Sequence, residues 1–184
     1  MAWLQDGLPL LGPRATLRWF GSSVAKLSIV EPRAPFREAE VMVVLEPRDL
    51  AAIWPVTRRR GRRDLLIVRA RLVRAPRFSA EMVAPDAWAP PGEERDETLV
   101  SRDADGRGAS YEYRDDGRAP VEEMRRRWGV LHDRCAGVWR IGVHRTVPHL
   151  EVHVLPPDPG SMSSAPLFTA ILDLAELASS ERAG

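Results

Sequence analysis

A chain of 184 residues with 44% apolar content is long enough to bury one core and has the composition of a globular protein. Its net charge of +1 gives no whole-molecule field pointing to nucleic acid or to an anionic membrane. The single cysteine, Cys135, excludes an intrachain disulfide and fits a reducing compartment.

The opening stretch MAWLQDGLPLLG lacks the positive segment and the long apolar run of a secretory signal. No run approaches the roughly 18 apolar residues of a membrane helix. The expected location is the cytoplasm, with no membrane partner. Lys26 is the only lysine, and every other cationic side chain apart from histidine is arginine. With abundant Ala, Pro and Gly, this usage reads as GC-rich bacterial coding, so an arginine cluster carries less functional weight than it otherwise would.

Residues 1–13 read as an irregular lead-in with two prolines. Thr16–Phe20 and Val24–Val30 form two short strands around Gly21-Ser22-Ser23. Glu40–Leu45 is a compact β-branched run that predicts a buried strand. Residues 47–54 predict a short helix, with Leu50, Ile53 and Trp54 on one side and Pro55 ending it. The tract from Arg58 through Arg59 and Arg60 to Arg63 is a candidate phosphate contact, but no aromatic residue is interleaved with it and a solvated loop is the favoured explanation. Asp64–Val73 predicts a long strand, and Phe78–Val83 extends the sheet after Pro76. The loop 84–97, with Pro85, Pro90, Pro91 and Gly92 followed by an acidic run, is the candidate internal boundary of a single 1–184 domain.

Thr98–Arg118 predicts a second hairpin, with turn signals at Asp105-Gly106 and Asp116-Gly117. The pattern Asp103-Ala104-Asp105-Gly106-Arg107, then Tyr111, Tyr113 and Arg114-Asp115-Asp116-Gly117-Arg118, resembles one unit of the YD repeats of Rhs-type toxin shells. Such shells bury their core only by stacking many units, so the likeness implies no function for residues 103–118 alone. Asp103, Asp105 and Gly108 also resemble the start of an EF-hand loop, but Arg107 and Arg114 stand where oxygen ligands belong, which argues against calcium.

Pro120–Asp133 predicts a helix with Val121, Met124, Trp128 and Leu131 on one stripe. Arg125, Arg126 and Arg127 then form its exterior. His132 stands near Cys135, yet structural burial of that cysteine is the expectation.

Val138–Leu155 has the clearest period-two pattern and contains three of the four histidines. Arg145-Thr146-Val147-Pro148 makes the turn, which sets His144 opposite His149, Gly142 opposite Glu151 and Arg140 opposite His153. The polar side chains share one face. Trp139, Ile141, Val143, Leu150, Val152 and Val154 share the other. Directly opposed residues have Cβ atoms about 4.5–5.5 Å apart, so His144, His149 and Glu151 form a candidate metal or acid–base triad. Its composition suits divalent iron or zinc. Gly142 would leave open space beside it. The competing explanation is a solvated polar sheet face, or a histidine contact surface that includes His153.

Ser163 or Ser164 is placed to cap a final helix over residues 165–180, whose apolar stripe runs through Leu167, Ile171, Leu174 and Ala178. Any exposed part of that helix is a candidate homodimer surface.

The fold class that follows is α+β, an antiparallel sheet of six to eight strands in sequential hairpins packed with two main helices at about 121–133 and 165–180. No phosphate loop, nucleophile elbow or HExxH is present. The leading expectation is therefore a bacterial binding or accessory protein of the immunity, chaperone or pathway type. It would act through protein contacts, with Trp54 and Trp88 as candidate anchors and no cofactor. The alternative is an enzyme using His144, His149 and Glu151 with a divalent metal or as acid and base. Nucleic-acid binding through Arg58–Arg63 is the third reading.

Overall fold

The computed structural model describes residues 2–45, 64–84, 100–102, 111–135, 137–156 and 163–180. A 3-10 turn at Ala2–Leu4 and a short helix α1, Leu8–Leu11, lead into strands β1 Arg14–Phe20, β2 Val24–Val30, β3 Phe36–Val44, β4 Leu65–Leu72, β5 Ala80–Val83, β6 Val100–Arg102 and β7 Glu112–Asp115. Helix α2, Val121–Arg134, strands β8 Val138–Val143 and β9 Leu150–Val154, and helix α3, Ala165–Ser179, complete the order. The predicted helix at 47–54 lies outside the described residues.

The α+β class holds, with two main helices close to the predicted spans. Among the described residues, one antiparallel sheet of nine strands runs in the order β1-β2-β3-β4-β9-β8-β5-β7-β6, one strand more than the upper end of the expected range. Its connectivity departs from simple sequential hairpins. β4 pairs with β9 and β5 with β8, so the β8–β9 hairpin sits between two strands that follow each other in sequence. The candidate boundary at residues 84–97 lies almost wholly outside the described residues, and segments before and after it share one sheet.

Period-two alternation sends one set of side chains to the helices. Ala25, Leu27 and Ile29 of β2, Val41 and Val43 of β3, Leu66, Val68, Ala70 and Leu72 of β4, and Leu150, Val152 and Val154 of β9 join one core with α2 and α3. Met124, Trp128 and Leu131 supply the α2 stripe, and Leu167, Phe168, Ile171 and Leu174 the α3 stripe. Each such large side chain, fully buried, contributes about 1.5–3 kcal/mol. The apolar stripe of α3 is used inside the molecule, packed against the sheet as so apolar a helix requires.

Two local expectations are corrected. The lead-in is not irregular: it forms the 3-10 turn Ala2–Leu4 and the short helix Leu8–Leu11, and it buries Leu4 and Leu11 in the core. Ser164 occupies the N-cap of α3 without capping it. Its hydroxyl donates to Asp6 Oδ1 at 2.6 Å, and the Ser163 hydroxyl donates to Asp6 Oδ2. Ser163 Oγ accepts the Ala165 N–H at 3.1 Å. The start of the chain is thereby tied to the last helix.

Candidate functional site

The β8–β9 register matches the sequence expectation at three positions: Arg140 opposite His153, Gly142 opposite Glu151, and the His144 N–H donated to the His149 carbonyl at 2.9 Å. Trp139 is the exception. The register shifts between Val138 and Arg140, so Trp139 is the extra residue of a bulge and does not share a face with Ile141. It clusters with Leu65 and Ile67 on the side away from the main core, and its ring meets His153 edge-on at 4.8 Å and 86°. Val138 fills the core position instead.

Away from the helices, a polar row crosses the sheet. Thr16 faces Ser28, Ser28 faces Glu40, Glu40 faces Arg69, Arg69 faces Glu151, Glu151 faces Gly142, Gly142 faces Glu81 and Glu81 faces Arg114. Charges alternate along much of it, and opposite charges on neighbouring strands attract. Arg69 Nε donates to Glu151 Oε2 at 2.5 Å, and His153 Nε2 donates to Glu151 Oε1 at 2.6 Å. Arg140 Nε donates to Glu81 Oε1 at 2.6 Å and holds Nη1 3.9 Å from Glu151 Oε1. Glu81, Glu151 and His153 are 4%, 8% and 1% exposed, so this face is not the solvated surface that the alternation also allowed. Burial pushes the Glu151 carboxyl up, but the hydrogen bond and charge of His153 and the Arg69 guanidinium outweigh it and hold the group at about 2.

The expected triad is not assembled. His149 Nδ1 accepts the Leu72 N–H at 3.1 Å, which turns the ring toward β4. Burial and the positive charge of Arg71 keep its pKa below 6.5. His144 folds back over Gly142, and an added Cβ there would lie 2.4 Å from His144 Nε2. The space expected beside Gly142 is filled by that imidazole. Among the described residues no three His, Cys, Asp or Glu side chains are placed to hold a metal ion. His153, a candidate contact residue, is inside the network. Two partners of Glu151, His153 and Arg140, belong to the hairpin itself; the third, Arg69, comes from β4, and its approach depends on strand order, which the hairpin's own sequence does not contain.

Cys135 is buried, and desolvation raises its thiol pKa. His132 Nδ1 lies 2.8 Å from the Tyr111 hydroxyl, so that histidine is engaged elsewhere. A groove of about 430 Å³ beside the hairpin turn is lined by Arg37, Glu38, Glu40, Arg69, Arg71 and Pro148. Arg69 and Arg71 in it already face Glu151 and Glu38. The candidate anchors Trp54 and Trp88, and Arg58, Arg59 and Arg60, lie outside the described residues.

Among the described residues, the exposed aromatic side chains Trp19 and Phe20 lie on β1, an edge strand of the sheet. All seven of its residues are exposed. Leu17, Trp19 and Phe20 are 49%, 48% and 48% exposed, against 4% for Trp128 and 6% for Trp139. The sequence signal was present in the apolar residues of both parities in Leu17–Phe20. Only strand order shows that, among the described residues, this strand has no neighbour on one side. Comparison of the chain with family models, curated proteins and solved structures returns no match.

Proposed function

We propose that this chain is a protein-binding module of the accessory type, with the free edge of β1 as its docking element. The observation that carries the reading is the combination of an open row of backbone donors and acceptors with three half-exposed large apolar side chains on the same strand. Exposed apolar edges invite pairing with another chain, and proteins that do not use them usually shorten, charge or cover them. β6, at the opposite edge, is three residues long. Strand addition at an edge draws affinity from main-chain hydrogen bonds and specificity from alternate side chains.

The acid–base or metal reading has less support. Both Glu151 oxygens accept hydrogen bonds, and His149 Nδ1 is committed to a backbone N–H.

The test is site-specific photo-crosslinking in the native host. A photoreactive phenylalanine analogue at position 17 is expected to yield a discrete adduct, and the same analogue at position 122 on α2 is not. The adduct should disappear when Trp19→Lys is added. Equal labelling at both positions, or an adduct indifferent to Trp19→Lys, removes the reading.

A further inference from the structure

We infer that the occupant of the β1 edge is an extended segment of a different protein, apolar at alternate positions and acidic between them, which adds as a tenth strand. The inference rests on the docking role proposed above and names the chemistry of its partner.

The two faces of β1 set the pattern. Register with β2 puts Leu17 and Trp19 beside Leu27 and Ala25 on the helix side of the sheet. Arg14 and Arg18 point to the other side with Thr16 and Phe20. An added strand continues both faces, because its side chains alternate with the same period. It therefore meets Ala15, Leu17 and Trp19 along one face and, along the other, a face on which the charged groups are the guanidiniums of Arg14 and Arg18.

Those guanidiniums are open to a new partner. Arg18 has no carboxylate partner among the described residues, and its guanidinium carbon stands 5.0 Å from the Phe20 ring centroid. Arg14 reaches Glu31 at 3.3 Å, with both side chains about 70% exposed, a geometry in which solvent leaves little net attraction. β1 itself contains no acid. An added strand that carries acids would supply compensating charge that β1 does not.

The same charges disfavour a second copy of this chain. Antiparallel self-pairing that keeps both faces continuous has three registers of useful length. Centred on Thr16 it sets Arg14 against Arg18. Centred on Arg18 it sets the two copies of that residue against each other. Centred on Leu17 it leaves each Arg18 diagonal to Arg14 and Arg18 of the other copy. Like charges opposed on one face of a strand pair are destabilising, and arginine on an edge guards against self-association.

The experiment uses the full chain and two short synthetic peptides, one alternating leucine with glutamate and one alternating leucine with lysine. Fluorescence anisotropy reads binding, and amide hydrogen exchange of residues 14–20 reads its location. The glutamate peptide is expected to bind at least about tenfold more tightly, to weaken with rising salt, and to protect β1. In the variant Arg14→Glu/Arg18→Glu the preference should invert. Circular dichroism checks that this variant stays folded, as exposed substitutions should allow. Equal binding of the two peptides, protection elsewhere, or no binding of either overturns the inference. So does sedimentation showing a dimer that Trp19→Lys dissociates, which would make the occupant a second copy and leave the docking role intact. If the position-17 adduct persists while the peptide preference is absent, only the acidic-segment inference falls. Absence of the position-17 adduct from the chain that retains Trp19 removes both.

Discussion

His153 Nε2 lies 2.6 Å from Glu151 Oε1, two residues back along the same strand, while Arg69 of β4 holds the other oxygen of that carboxylate at 2.5 Å. With Nε2 donating, His153 Nδ1 is left buried without a partner. This pairing makes acid stability the first prediction. The Glu151 carboxyl titrates at about 2 in the fold against 4.5 as a free group. As pH falls the unfolded chain takes up this proton first. The contribution is therefore complete above pH 4.5 and is lost as pH falls through about 2. It is worth about 3 kcal/mol. Glu151→Gln should lower stability at pH 7 by a similar amount, because Arg69 and His153 lose a buried partner. It should also flatten the acid limb. Urea unfolding at pH 3 and pH 7 checks this, and an unchanged pH dependence would show that the ion pair is not the cause.

Much of this network was legible in the residues alone, and its central feature was not. The turn length and the alternation from Trp139 to Val154 determined which residues of β8 and β9 face each other. They could not show that the hairpin is central in the sheet. Insertion between β4 and β5 brings Arg69 to Glu151 on one side and Glu81 to Arg140 on the other. The resulting burial turns an apparent histidine ligand set into an ion-pair network. Trp139 was misplaced for a different reason. A bulge adds one residue without breaking the apolar pattern, because Val138 and Trp139 are both acceptable core residues. For β1, hydrophobicity was visible and its exposure was not, since edges are a property of strand order.

His149 supplies a second pH effect with its own window. Burial, and then the charge of Arg71, depress its pKa below 6.5. The unfolded chain protonates first as pH drops. Stability is therefore intact above pH 6.5 and declines below it until the folded ring is also protonated. Arg71→Gln removes one of the two causes and should raise the His149 pKa toward 6.5, which weakens the decline. Histidine proton resonances followed across pH 4–8 report the shift directly. If His149 titrates identically in the variant, Arg71 does not act on it.

Asp6 ties the amino-terminal segment to α3 through the hydroxyls of Ser163 and Ser164, and those hydrogen bonds hold its carboxyl at about 2 instead of 3.8. Asp6→Ala should release both serines and loosen the first turn of α3 and the adjoining α1 together. The expected readout is faster amide exchange at Phe168 and Leu10 at pH 7, with exchange in β4 and β9 unchanged. Uniform acceleration across the sheet would mean that the contact supports the whole fold and not this one junction.

Two glycines of the hairpin are close to other atoms for different reasons, and substitution should separate them. A Cβ added at Gly137 would lie 2.1 Å from the Leu155 carbonyl oxygen, on backbone whose position is fixed by the Leu155 N–H donated to the Gly137 carbonyl at 2.7 Å. Neither strand can step aside without breaking that bond, so Gly137→Ala should cost about 2–4 kcal/mol. At Gly142 the obstacle is the far end of the His144 side chain, 2.4 Å away. An imidazole can rotate out, so Gly142→Ala should cost less than about 1.5 kcal/mol. The double variant Gly142→Ala/His144→Ala should recover most of the loss, since the two residues share one space and their effects do not add. Thermal unfolding of the four proteins decides it. If Gly142→Ala is as costly as Gly137→Ala, or the double variant recovers nothing, His144 does not fill the space between Glu151 and Glu81.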